Sequence, residues 1–186
     1  MHATLGDYLS ELVQNALEAE ADAVTVRLDE TDGFYRMEVT DNGRGMTAAQ
    51  VARVTDPFVT APGKHPGRRV GLGLAFVRQV AEQTGGTWTI DSAPGAGTRV
   101  GLTLPRAHWD TPPLGDLPGV WRQLLAGGGG AAVTIERRRG AAGYRVTRGE
   151  LLEALGELES VGALRLAGEY VRSLEDALEA REGMET

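Results

Sequence analysis

Glu11 and Asn15 lie four residues apart, so on a helix both project from one face about one turn apart. An asparagine in mid-helix competes for backbone hydrogen bonds, whereas its amide oxygen is a hard ligand suited to a magnesium ion that holds phosphates. Glu11 beside it suits orienting or deprotonating a water that attacks such a phosphate. A solvated helix glutamate and a surface asparagine are the plain structural alternatives. Asp41 opens the stretch Asp41-Asn42-Gly43-Arg44-Gly45-Met46. A carboxylate there can accept from the exocyclic amine of a base, and Gly43 and Gly45 let the backbone turn sharply or lie against the ring. An Asx turn is the alternative reading of Asp41. Gly71-Leu72-Gly73-Leu74 leads into a periodic apolar run, and the first amides of a helix point outward, toward where phosphate oxygens would sit. Each of these features is common alone; their order along one chain, with a strand threonine, Thr98, after a glycine turn, is what gives them weight together.

The elements that must carry these residues follow from periodicity. Leu5, Leu9, Leu12, Val13, Ala16 and Leu17 recur at three- and four-residue steps, which predicts an amphipathic helix to about residue 21 with Thr4 or Asp7 at its start. Alternation predicts strands at 23–29 and 34–40, joined by the turn Thr31-Asp32-Gly33, so that Asp41 falls at a strand end. A short helix is expected at 47–54. Residues 56–69 are rich in proline, glycine and basic side chains and read as a loop. Leu74, Phe76, Val77, Val80 and Ala81 predict a helix that ends at Gly85-Gly86, followed by strands at 87–91 and 98–104 and a stop at Pro105. The prolines of 106–118 suggest a connector. Beyond it are expected a helix at 118–126, strands near 131–137 and 143–147, and helices at 149–159 and 168–181.

Composition bounds the partners. The 186 residues carry 19 basic and 26 acidic side chains, a net charge of −7, which disfavours duplex DNA and anionic membrane as main partners. There is no cysteine, and His2, His65 and His108 lack a compact ligand spacing, so a structural zinc is not expected. No run approaches the roughly 18 apolar residues of a membrane span. A cytoplasmic protein is the expectation.

Taken in order, the residues resemble a known family: the ATPase domains of the gyrase, Hsp90, histidine kinase and MutL class, with the Bergerat nucleotide-binding fold. The resemblance covers about the first 100 residues. Glu11 to Asp22 is similar to its N box, Asp41 to Met46 to its G1 box, and Val70 to Gly86 with Ser92 to Pro105 to the G2 region and last strands of sensor kinase catalytic domains. It implies an α/β (α+β) two-layer sandwich, with a mixed sheet packed by helices, that binds ATP and Mg2+. By the same resemblance Asn15 would coordinate magnesium and Asp41 would bind the adenine amino group. Gly43, Gly45 and Met46 would shape the base pocket, Gly71, Leu72, Gly73 and Leu74 would cap the phosphates, and Thr98 would complete the adenine side. Glu11 matches the glutamate that activates water in the hydrolytic members, and Lys64, Arg68 or Arg69 in the lid would contact phosphates. The small stand-alone bacterial ATP-binding proteins of the histidine-kinase-like group are the most similar in layout.

Two departures shape the expectation. A phosphoacceptor-histidine hairpin does not fit ahead of the N box, and residues 107–186 contain no lysine to serve as the catalytic lysine of gyrase- or MutL-like proteins. The expected organisation is a histidine-kinase-like ATP-binding domain at 1–106, a linker at 107–118 and a small C-terminal α/β domain at 119–186. The expected function is magnesium-dependent ATP binding with slow hydrolysis in a nucleotide-dependent switch. Serine/threonine protein kinases resembling anti-sigma factors, and a non-catalytic adaptor that keeps the fold, are the alternatives. An unidentified protein partner and a homodimer are carried as partner expectations. The run Glu136-Arg137-Arg138-Arg139 reads as a solvated hairpin turn, Trp88, Trp109 and Trp121 as packing residues, and Leu151, Leu152, Leu155, Leu158 and Val161 as an apolar stripe.

Overall fold

A computed structural model describes residues 4–55 and 72–182. The first helix, α1 (Leu5–Glu18), starts where expected because Thr4 and Asp7 act together: Thr4 Oγ1 accepts from the Asp7 amide at 3.2 Å, and Asp7 Oδ2 accepts from the Thr4 amide at 2.7 Å. That reciprocal box satisfies donors the helix start would leave open. Leu5, Leu9, Leu12, Val13 and Ala16 then form one buried stripe. The helix stops about three residues before the expected limit, and Glu20 just beyond it adopts a left-handed φ of 62°.

Strands β1 (Ala23–Glu30) and β2 (Phe34–Asp41) form the expected antiparallel pair, followed by the short helix α2 (Ala48–Val54) and the helix α3 (Leu72–Thr84). Next come β3 (Thr87–Ala93), β4 (Gly97–Pro105) and α4 (Leu117–Ala126). The chain ends with β5 (Ala132–Arg139), β6 (Ala142–Thr147), α5 (Arg148–Leu155) and α6 (Val161–Glu182). All six strands share one mixed sheet in the order β3-β4-β2-β1-β5-β6, antiparallel throughout except for the parallel pair β1–β5. Val24, Val26 and Leu28 of β1 and Val133 and Ile135 of β5 point to the same buried face, where helices cover them. This is the α/β sandwich of sheet and helices that the sequence leads one to expect.

Residues 106–116 connect β4 to α4, and the strands beyond them lie in the same sheet. Trp121, Leu125, Val133, Ile135 and Val171 share one hydrophobic cluster with α1 and β1. The arginine run is not the expected solvated turn: Arg137 is 1% exposed and pairs with Glu30, itself 3% exposed. Alternation puts Arg137 in phase with Val133 and Ile135, so it points inward, whereas Arg138 faces solvent. Trp109 is also corrected, being 98% exposed, whereas Trp121 is fully buried and donates to Glu175 Oε1 at 3.0 Å. The stripe of the C-terminal helices divides: Leu151 and Leu158 are buried, Leu152 and Leu155 half-buried, and Val161 exposed. Gly156, at φ 79°, ends α5 four residues before the expected limit, and α6 begins at Val161 rather than 168. Among the described residues no helix is long and apolar enough to cross a membrane.

Candidate functional site

The end of β2 and the end of α1 meet at one loop. Arg44 N donates to Ala19 O at 2.9 Å, and Asn42 Oδ1 accepts from the amides of Asp22 and Ala23, each at 2.9 Å. The glycine stretch is therefore stitched to the α1–β1 corner. A Cβ at Gly43 would stand 2.7 Å from Ala19 O, so Gly43 is needed for the loop to close on α1 rather than for approach to a ligand. Gly45 has φ 65°, and a Cβ there would collide with Ala93 O of the β3–β4 turn. Gly95 N donates to Arg44 O at 2.7 Å, closing that contact from the other side. Gly45→Ala is expected to cost at least about 1–2 kcal/mol from the left-handed backbone alone, more with the collision, and urea unfolding reads the loss.

Asp41 Oδ1 accepts from Gly43 N at 2.8 Å, which is the Asx turn, and from Thr98 N at 3.3 Å across the sheet. Both readings of Asp41 are compatible, because its carboxylate has a second oxygen. Among the described residues no donor meets Oδ2. Thr98 Oγ1 lies 2.9 Å from Ser92 Oγ, and Ser92 Oγ also accepts from Met46 N at 2.9 Å. The strand register Ser92↔Thr98 and Asp41↔Thr98 sets this chain of contacts.

On α1 the i, i+4 spacing holds: Glu11 is exposed and Asn15 half-buried. Both reach the start of α3, since a Cβ at Gly73 would stand 3.1 Å from Glu11 Oε2 and 3.2 Å from Asn15 Nδ2. Gly73 is thus the residue that lets α3 approach the two polar groups. Tyr8, one turn earlier, has its hydroxyl pKa raised by burial, then by Glu11 and Asp7.

Between these elements lies a cavity of about 130 Å³. Asn15, Asp41 and Thr98 are among its polar groups, with Gly45 and Met46 beside them and Leu12, Val39, Val54, Leu74 and Val100 forming an apolar wall. The structure thereby brings Asn15, Asp41, Gly45, Met46, Leu74 and Thr98 to one cavity, with Glu11 and Gly73 beside Asn15 and Gly43 behind the loop. Leu72 opens α3. Lys64 and Gly71, with Arg68 and Arg69, lie outside the described residues. Glu18 and Arg44 also line the cavity and were not singled out from sequence. Glu18 continues the Glu11–Asn15 face at i+3 from Asn15, a signal that was legible; Ser92 emerges only from strand register. No cluster of three His, Cys, Asp or Glu able to hold a metal occurs among the described residues.

A family model for histidine kinase-, DNA gyrase B- and HSP90-like ATPases matches residues 2–108. The sensor histidine kinase ZraS of Klebsiella oxytoca is 38% identical over 104 residues, which is 54% of this chain and 22% of that protein. The sensor protein DegM of Bacillus sp. (strain B21-2) is 35% identical over 99 residues, 52% of this chain and 26% of that one. DcuS of Escherichia coli K12 is 33% identical over 112 residues, 58% of this chain and 19% of that protein. Among solved structures, a mycobacterial sensor histidine kinase MprB is 28% identical with a TM-score of 0.37, covering 54% of this chain and 72% of that one. The chain spans about a quarter or less of the length of these curated relatives. With more than half of its residues matched by the family model, the chain belongs to the histidine kinase-, DNA gyrase B- and HSP90-like ATPases.

Proposed function

We propose that the chain binds ATP with Mg2+ in this cavity, hydrolyses it slowly, and uses the bound nucleotide as a regulatory switch toward a protein partner. The observation that carries the reading is the convergence of Asn15, Asp41 and Thr98 on one small cavity with an apolar wall. Asp41, at the strand end, accepts from the exocyclic amine of adenine through the oxygen that Gly43 and Thr98 leave open. Val39, Val100, Met46 and Leu74 give the base an apolar surround and exclude water from that hydrogen bond. The first amides of α3 face the phosphate end, where a helix start favours negative charge.

Asn15 fits a magnesium ion that arrives with the nucleotide: its amide is a hard ligand and stands where Gly73 leaves room between α1 and α3. When bound, the ion neutralises phosphate charge and polarises the phosphoryl group. Glu11, on the same side, orients a water toward that group and accepts its proton.

Asn15→Ala is expected to abolish the gain in ATP-analogue affinity that magnesium produces, about tenfold, while ADP affinity without magnesium stays unchanged. Glu11→Gln should bind nucleotide as the parent does and lose turnover by about a hundredfold. Calorimetry and phosphate release read the two variants. An Asn15→Ala protein that still gains from magnesium contradicts the metal role, and undiminished turnover in Glu11→Gln contradicts the base.

A further inference from the structure

Both ends of α1 are gripped, and its start is gripped by parts of the chain that do not line the cavity. The amides of Leu5 and Gly6, two of the four donors a helix start leaves unpaired, donate to Pro113 O at 2.8 Å and to Leu114 O at 3.1 Å in the β4–α4 connector. Gly6 is buried there: a Cβ would stand 2.8 Å from Val120 Cγ2 on α4 and 3.3 Å from Leu114 O. Leu5 and Leu9 share the buried cluster with Trp121 and Leu125 of α4. At the other end, Ala19 O holds the Arg44 amide of the glycine loop. An α-helix is a stiff rod, and proteins pack too tightly for one end to move freely of the other. Glu11 and Asn15 lie between the two grips, against Gly73.

We infer that Gly6 and Val120 form a positioning contact, through which α4 and the connector set where α1 places Asn15 and Glu11 against the start of α3. The C-terminal segment is then a working part of the nucleotide site, and a partner that displaces α4 changes nucleotide affinity without touching the cavity. This inference rests on the nucleotide reading above. It predicts a split. A side chain at position 6 pushes α1 off its seat, which misplaces Asn15 and Glu11 on that helix. Asp41, fixed on β2 by its register with Val24 and Thr98, keeps the hydrogen bond to the adenine end, so that end loses only the share of its wall that α1 supplies.

The test compares adenosine with a nonhydrolysable ATP analogue plus magnesium, by calorimetry on the full chain. Gly6→Ala is expected to bind the ATP analogue about tenfold more weakly while adenosine loses much less. Alanine raises helix propensity over glycine, so a weaker helix does not explain that loss. Adding Val120→Ala removes the methyl that the new Cβ meets, and Gly6→Ala/Val120→Ala is expected to regain the analogue. Unchanged analogue affinity in Gly6→Ala, an equal loss for both ligands, or no recovery in the double variant overturns the inference. Should Gly6→Ala not fold, Val120→Ile, which keeps the contacting Cγ2 and adds a carbon to the same side chain, loads the contact from α4, with the same split expected and an unsplit or absent loss overturning it. A parent chain that binds neither ligand overturns the nucleotide reading itself, and this inference with it; binding by the parent with no split removes only the inference.

Discussion

Asp41→Ala is expected to weaken ADP and ATP alike by about 3 kcal/mol, roughly two orders of magnitude in affinity. The loss has two sources. The adenine amine loses a charged acceptor, and charge-assisted hydrogen bonds are about twice as strong as neutral ones. The loop also loses the oxygen that accepts from Gly43 N at 2.8 Å and Thr98 N at 3.3 Å, so the rim formed by Gly45 and Met46 loses its anchor. Asp41→Asn separates the two. Its amide oxygen still accepts from Gly43, which preserves the loop, while its amide nitrogen confronts the adenine amine with a second donor. The expected outcome is a parental unfolding midpoint with binding still lost. Full affinity in Asp41→Ala would remove the residue from base recognition and leave it the Asx turn alone.

Glu30→Ala is expected to destabilise the fold by about 3–5 kcal/mol, because removing one member of a buried ion pair leaves the other charge uncompensated. Glu30 sits at the far end of β1, 3% exposed, with Arg137 on one oxygen and Arg106 Nη2 at 3.2 Å on the other. Arg137, 1% exposed, would keep the backbone carbonyls of Leu28 and Arg138 and, as counter-charge, Glu175, whose Oε1 lies 3.5 Å from its Nε. Glu175 is already shared: it accepts from Trp121 at 3.0 Å and from the Tyr144 hydroxyl. Burial and the Glu175 carboxylate push the pKa of that hydroxyl well above its ordinary value, so the phenol stays a donor. The cluster therefore couples β1, β5, β6, α4 and α6, and its loss loosens the C-terminal segment from the sheet. Arg27→Ala is the matched comparison. Arg27 bridges Glu38 at 3.1 Å and Glu136 at 2.6 Å, but its side chain is 49% exposed, and exposed pairs contribute about 1 kcal/mol or less. Urea unfolding of the two variants should separate them clearly; a Glu30→Ala loss no larger than that of Arg27→Ala would contradict the buried-pair account.

The first half of the fold was legible because its signals are local. The apolar spacing of α1, the alternation of β1 and β2 and the punctuation at Gly85-Gly86 each lie within a few residues, and the elements formed within a few residues of their expected ends. What local pattern does not carry is pairing. Nothing in Val133 and Ile135 says that β5 runs parallel to β1, since alternation assigns faces and not neighbours. The result is a single sheet that β5, parallel to β1, carries on beyond residue 118. Arg137 shows the opposite failure: the phase with Val133 and Ile135 pointed it inward, but a run of three arginines beside a glycine weighs toward solvent. Glu30, its partner only in three dimensions, gives no warning in the sequence. In the candidate site, Glu11, Asn15, Asp41 and the glycines were visible as types at spacings. Ser92 and Arg44 were not, because their places follow from the register of β3 on β4 and from the loop that Ala19 holds.

The central claim is that the cavity between α1, β2 and β4 takes a nucleotide with magnesium. Calorimetric titration of nucleotide-stripped protein with ADP and with a nonhydrolysable ATP analogue, each with and without magnesium, tests it most directly. Saturable binding of both nucleotides and a tighter ATP-analogue complex when magnesium is present are expected. No heat of binding at millimolar nucleotide would contradict it and leave a chain that keeps the fold as a nucleotide-free adaptor.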